Sequence, residues 1–359
     1  MTEVTAELPR PAFGEAERLF LRAGSLEAAL FRFGTGVAAV RLANARGHVL
    51  VLPFLGGMVW DACFDGVRLG MDSMFPEPRP ADIITGTYGC LLFHSGLLRN
   101  GCPGPEDTHA LHGEMPCAPM DSAALQAGED ADGPYLRLLS RRAYAEGFGA
   151  HYLAIPSVTL RPDATSFEVG MEVRNRSGKP MELMYMAHAN FGFPVGARIL
   201  QPAPWTPEHV RVRNAVPGHV RPTPEYERLL ERLALDPAAL QTLDDPALLA
   251  TEQVFYLSGL RPGPNGRIEV LLRRREGDAF GISWREGAFS HCVRWLVHDP
   301  DQRVAAIALP STCEPEGYAA ERRKGNVRTL GPGEGTEFAV RLAYLDRDGA
   351  ATAAERIGA

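Results

Sequence analysis

The sequence predicts an all-β protein built as an antiparallel sandwich. Three observations predict it: strict apolar–polar alternation in several segments, closely spaced turn signals between them, and one clear helical interruption. "FEVGMEVRN" places Phe167, Val169, Met171 and Val173 on one face and Glu168, Glu172 and Arg174 on the other. "EFAVRLAYLD" repeats the pattern with Phe338, Val340, Leu342 and Tyr344. "RIEVLLRR" reads as a half-exposed strand and "HVLVLPF" as a more buried one. "RSGKP", "RPGPNGR" and "GPGEG" mark the turns.

The helical interruption is "TPEYERLLERLALDPAAL". Thr223 suits the N-cap, Pro224 the first helical position, and Tyr226, Leu229, Leu230 and Leu233 follow helical spacing on one face. "DDPALLATEQVF" adds a second short helix, so a helical insertion is expected at about 223–250. There is no internal repeat, low-complexity tract or linker, and residues 1–359 are expected to form one domain.

Composition narrows the class. The 359 residues are 45% hydrophobic and 23% charged, ordinary for a globular chain. A net charge of −7 argues against a nucleic-acid surface, which needs clustered positive charge. The basic runs "RLLSRRAYAE" and "LLRRREGD" interleave with apolar residues and read as solvated strand faces. No signal-peptide pattern opens the chain and no long apolar run crosses it, so a cytoplasmic, membrane-free protein is expected. Six scattered cysteines without a CxxC pair suggest buried thiols rather than a disulfide framework or a zinc–cysteine site.

Four stretches, in order, resemble the aldose 1-epimerase (galactose mutarotase-like) superfamily, across roughly residues 37–346. They are "VAAVRLANARGHVLVLPFLGGMVWDACFDGVRL", "LLRNGCPGPEDTHALHGEMP", "FEVGMEVRNRSGKPMELMYMAHANFGFP" and "STCEPEGYAAERRKGNVRTLGPGEGTEFAVRLAYLD". The chain looks most similar to the aldose-epimerase-like branch that carries "LHGE". The resemblance implies a galactose mutarotase-like β-supersandwich with a short helical insertion, a sugar-binding cleft on one sheet face, and a small-molecule sugar as partner. It implies an isomerase that interconverts sugar anomers by His/Glu acid–base catalysis, for which no cofactor is required.

The resemblance also implies roles for individual residues. Mutarotation needs a base at the anomeric hydroxyl and an acid at the ring oxygen, both within hydrogen-bond reach. His188 matches the family's acid histidine, and Asn190, two residues on, points to the same strand face. His112 matches the "LHG" histidine that contacts the sugar, and Glu114 could share its face. Arg99 and Asn100 correspond to hydroxyl-binding positions, although Asn100-Gly101 also suits a plain turn. His109 is either a site residue or a loop residue, and Trp205 is the preferred stacking platform among Trp60, Trp205, Trp284 and Trp295. His291 and His298 either line the cleft or end a strand.

The chain departs from the family at the base. Related sequences carry a glutamate just before a Pro-Ser/Ala-Thr stretch, and here that position is Leu309. Glu316 or Glu314, in the neighbouring loop, is expected to take over. Two rival readings follow. His109, His112, Glu114 and His188 together offer ligands for a divalent metal, as in a metal-dependent sugar isomerase or epimerase. Alternatively, the loss at Leu309 leaves a non-catalytic carbohydrate-binding protein.

Overall fold

The computed structural model describes residues 3–358 except 215, 217 and 219. Two antiparallel sheets form it, and the elements that alternate in the sequence are the ones buried between them. The nine-stranded sheet runs in the order Val4–Glu7, Ser122–Asp130, Gly133–Ala145, His151–Leu160, Ser166–Asn175, Gly335–Leu345, Ala279–Arg285, Arg267–Arg273 and Arg198–Leu200. At its centre Phe167 pairs with Leu342 and Val169 with Val340, all four buried. Burying this apolar face is the main force holding the sheet in place.

The larger sheet has thirteen strands. Its main path is Val210–Val212, Gln253–Leu257, His291–His298, Arg303–Ser311, Met181–Ala189, Leu92–Leu97, Met58–Phe64, Gly47–Leu52, Ala38–Asn44, Leu26–Arg32 and Arg18–Ala23. One face packs on the nine-stranded sheet. Phe93, Met186, Val293 and Leu309 belong to a second cluster on the opposite face, beneath the loops around Tyr88, Leu111 and Cys117. The candidate site lies on that outer face.

Three α-helices occur among the described residues: α1 (Pro224–Leu235), α2 (Tyr318–Lys324) and α3 (Arg347–Ile357). Thr223 caps α1 by accepting from the Tyr226 amide, Pro224 occupies its first turn, and Tyr226, Leu230 and Leu233 are buried. The second expected helix is only a 3₁₀ turn, Pro246–Leu249, after which Gln253–Leu257 enters the sheet. Helices α2 and α3 lie outside the expected insertion, so the helical content exceeds the single interruption read from the sequence. Among the described residues, no helix is long and apolar enough to cross a membrane. Four cysteines are buried, and Cys63 and Cys102 are half-buried.

Leu342 is fully buried between the sheets. Leu342→Ala should therefore lower unfolding free energy by about 2–5 kcal/mol. Thr223→Ala, which removes only the cap of α1, should cost about 1 kcal/mol. Urea unfolding checks both, and equal losses would contradict this division of stability between sheet core and insertion.

Candidate functional site

His188 lies near the end of the strand Met181–Ala189. Alternation there sends Leu183, Tyr185, Ala187 and Ala189 into the core and Met186 and His188 to the outer face. The neighbouring strand places Phe93 opposite His188, and the two rings stack at 4.4 Å between centroids and 16° between planes. Asn190 Nδ2 donates to the Cys90 carbonyl at 3.1 Å, which leaves Asn190 Oδ1 to accept from His188 Nδ1 at 2.8 Å. This network assigns the proton of the neutral imidazole to Nδ1 and the lone pair to Nε2. Burial lowers the His188 pKa to about 4, against the opposing effects of the Asn190 hydrogen bond and the Glu252 charge. At neutral pH the ring is uncharged.

His112 arrives from the loop that follows Leu92–Leu97. Its backbone has φ of 62° and that of Gly113 has φ of 80°, so the turn reverses within two residues. A Cβ on Gly113 would lie 2.0 Å from the Arg99 carbonyl oxygen, which explains the glycine of "LHG". The Ser95 hydroxyl donates to Asn100 Oδ1, leaving its oxygen to accept from His112 Nδ1 at 3.0 Å. The His112 pKa falls well below its ordinary value through burial and the neighbouring His188. The two imidazoles meet edge to face at 4.8 Å.

A carboxylate completes the group. Glu252 immediately precedes Gln253–Leu257 and shares its period with Val254 and Tyr256. Its Oε1 accepts from Arg213 at 2.7 Å and its Oε2 from the Trp295 indole at 2.7 Å. The Trp295 ring stands 5.7 Å from His188, and the Tyr88 hydroxyl lies 3.4 Å from His188 Nε2. His112, His188, Tyr88, Arg213, Glu252 and Trp295 all line one cavity of about 590 Å³, large enough for a sugar ring. Leu309 lines it too.

The other expected site residues lie elsewhere. Glu316 accepts from the Tyr256 hydroxyl and from Lys324 at 2.8 Å. Burial would raise its pKa, but those hydrogen bonds outweigh burial and leave it below the ordinary value, which suits an ion-pair partner more than a base. Glu314 is bound by Arg211 and Lys324, each at 2.6 Å. Glu114 Oε1 accepts from the Leu97 and Leu98 amides and the Tyr152 hydroxyl, all at 2.9 Å, and so holds the strand end that precedes the loop. Arg99 stacks on Tyr318 at 3.7 Å, and His109 donates to the Ala110 carbonyl; both line a neighbouring cavity. Asn100 is fully buried and acts on the site through Ser95, while Asn190 acts through His188.

Trp205 packs against the buried Arg294 at 4.7 Å and lines a different pocket, so Trp295 replaces it as the aromatic wall. Neither His291 nor His298 lines the 590 Å³ cavity. Of the four residues read as a metal set, His112 and His188 line this cavity, whereas Glu114 and His109 line the neighbouring one, His109 still near enough to help lower the His112 pKa. Among the described residues, the ligand-type side chains that do converge are Glu314, Glu316 and Glu321, and Lys324 pairs with all three.

Of the cavity-lining groups, sequence reasoning named the two histidines and did not name Glu252, Arg213 and Tyr88. The signal for Glu252 was present in "TEQVF", whose alternation puts Glu252, Val254 and Tyr256 on one face. Chemically, the cavity offers two imidazole lone pairs, a guanidinium-held carboxylate and a phenol, a set fitted to moving protons between hydroxyl groups.

Residues 34–344 match the family described as a domain of unknown function, DUF4432. No curated protein matches the chain. Among solved structures, the chain is similar to a candidate aldose 1-epimerase of Klebsiella pneumoniae, with 17% identity, a TM-score of 0.80, and coverage of 99% of this chain and 95% of that one. It is similar to a galactose mutarotase-like protein of Clostridium acetobutylicum, at 15% identity and TM-score 0.58, over 90% of this chain and 99% of that one. A candidate aldose 1-epimerase of Escherichia coli K12 matches at 17% identity and TM-score 0.51, over 92% and 99% of the two chains. These likenesses establish the fold as a galactose mutarotase-like β-sandwich.

Glu114 tests the assignment of support against ligation. Glu114→Ala should destabilise the fold by about 1–3 kcal/mol, because two amides and a hydroxyl lose their acceptor. Thermal or urea unfolding reads the loss, and an unchanged midpoint would show that the carboxylate supports nothing.

Proposed function

The chain belongs to the DUF4432 family, and we propose that this member is a carbohydrate epimerase that interconverts sugar anomers at the His188 cavity. The observation that carries the reading is the meeting of His112, His188 and Glu252, from three distant segments, in one sugar-sized cavity. The fold shared with the structures above supports the reaction class, and the chemistry rests on these side chains.

His188 is the proton carrier. Its Nε2 lone pair takes the proton of the anomeric hydroxyl, the bond between C1 and the ring oxygen breaks, and the imidazolium returns the proton to that oxygen. The product is an open hydroxy-aldehyde with the same atoms as the ring form. Rotation about the bond beside C1 and the reverse steps give the other anomer. Both oxygens are bonded to C1 in the ring form, so one imidazole can reach both. The negative charge of Glu252 stabilises the transient imidazolium, as the carboxylate of a histidine–carboxylate pair does. The Nε2 of His112 accepts a hydrogen bond from a sugar hydroxyl, and Arg213 and Tyr88 donate. This reverses the order of roles expected for His188: in the resting site it is a base before it is an acid.

Leu309 on the cavity wall favours a second reading, a sugar-binding protein without turnover. Tight binding with no acceleration of anomer exchange, across a broad panel of aldoses, would establish that reading and sink the first.

Polarimetry and NMR exchange test the proposal. His188→Ala should lower kcat by at least roughly 10²-fold in a folded protein. Glu252→Gln, which keeps a hydrogen-bond acceptor but removes the charge, should lower it roughly 10²-fold. Wild-type rates in either variant would refute the roles assigned. The pH dependence has a definite sign, because the active free enzyme carries neutral His188. Its kcat/KM should stay level across roughly pH 6–8 and fall about tenfold per unit below about 4. A rate that climbs steadily as pH drops from neutrality would instead make the imidazolium the required form.

A further inference from the structure

Four strands that are neighbours in the larger sheet, Gln253–Leu257, His291–His298, Arg303–Ser311 and Met181–Ala189, each contribute an aliphatic side chain to the same cavity. Those side chains are Val254, Val293, Leu309 and Met186, and all four are buried. Val293 and Leu309 are direct cross-strand partners, so the four make a continuous apolar floor. Leu111 and Phe75 add apolar wall from the loops. The polar groups of the cavity stand around this floor, at the buried His112, His188, Tyr88 and Arg213 and at Glu252, partly buried but held by Arg213 and Trp295. Thr85 is exposed and Gln302 and Cys102 are only partly buried.

A pyranose or furanose ring carries polar groups on most of its carbons. A hydroxyl aimed at Val254, Val293, Leu309 or Met186 would lose its water and find no partner. A hydrogen or methyl group in the same position would fill the space and bury apolar surface. We propose that the cavity selects deoxy-aldoses, sugars in which a hydroxyl is replaced by hydrogen, over the parent aldoses. This rests on the epimerase reading for its catalytic part, but the selection itself is a property of the binding floor.

The test uses matched pairs: D-galactose and D-fucose, D-glucose and 6-deoxy-D-glucose, L-mannose and L-rhamnose, D-ribose and 2-deoxy-D-ribose. Binding is read by ligand-observed NMR, and anomer exchange by NMR or polarimetry after subtraction of each sugar's spontaneous rate. The expected result is a preference of roughly tenfold or more for the deoxy member in at least one pair. Val293→Thr, which sets a hydroxyl in the floor at nearly constant volume, should shrink that preference, and Leu309→Gln should do so again as an independent variant. Equal or parent-favoured binding in every pair, or a preference unmoved by both variants, overturns the selection. If parents and deoxy sugars are turned over alike, the selection fails and the epimerase reading stands. If deoxy sugars bind preferentially without accelerated exchange, the selection stands and the epimerase reading fails. No binding by any of the eight sugars overturns both.

Discussion

The site depends on the strict alternation of the strand Met181–Ala189, clamped between Leu92–Leu97 and Arg303–Ser311. One set of its side chains anchors the sandwich core through Leu183, Tyr185, Ala187 and Ala189. The other set can then only point outward, where Met186 and His188 meet the cavity. A register slip of one residue would bury His188 against apolar neighbours and expose Tyr185 and Ala187. The hydrophobic core therefore fixes the imidazole's position as firmly as any contact within the site. Phe93 on the adjacent strand holds the ring plane, and Asn190 holds its proton on Nδ1.

That placement sets the chemistry through desolvation. Away from water, the imidazolium form is disfavoured, and the neutral ring presents a lone pair to the cavity. A buried neutral base is useful only if the charge it acquires is met on arrival. In the proposed reaction Glu252 meets it, itself held between Arg213 and Trp295. The three groups come from different elements: Arg213 and Trp295 donate to Glu252, and the Trp295 ring stands edge to face against His188. Its low resting proton affinity and the nearby countercharge are two parts of one arrangement: burial keeps the lone pair available, and the carboxylate lowers the cost of using it.

Much of the fold was legible because local rules and tertiary burial agree. Phe167 to Val173 and Phe338 to Tyr344 alternate in sequence and are buried together as paired strands. Thr223 and Pro224 announced α1 for the same reason. Helix α2 has seven residues between Gly317 and Gly325, too short for a periodic signal. Helix α3 buries only Ala350, Ala353 and Ala354, so its inner face lacks the large apolar residues that mark an amphipathic helix. In the site, His112 and His188 sit in recognisable local contexts. Glu316 and Trp205 were preferred for their proximity in sequence to such contexts, but Lys324 and Arg294 claim them. The partnership of Glu252 with His188 follows from strand order alone, which no periodicity in the chain encodes.

The leucine at 309, where the resemblance noted in the sequence implies a glutamate, has a physical setting. Leu309 lies on the strand beside His188, and antiparallel register with Met186–Ser311 brings the two side chains alongside each other. A carboxylate there would stand over the middle of the cavity floor, among Met186 and Val293, while Arg213, the cationic residue lining the cavity, pairs with Glu252 at its edge. Glu252, on the far side of His291–His298, carries its charge at the edge of the floor, where Arg213 is already buried and in need of a partner. At Glu252 the charge is paired, the floor is left apolar, and the carboxylate still bears on His188. An apolar residue at 309 and a carboxylate held at the rim by Arg213 thus go together, and the proposed selection by the hydroxyls that a sugar lacks rests on that pairing.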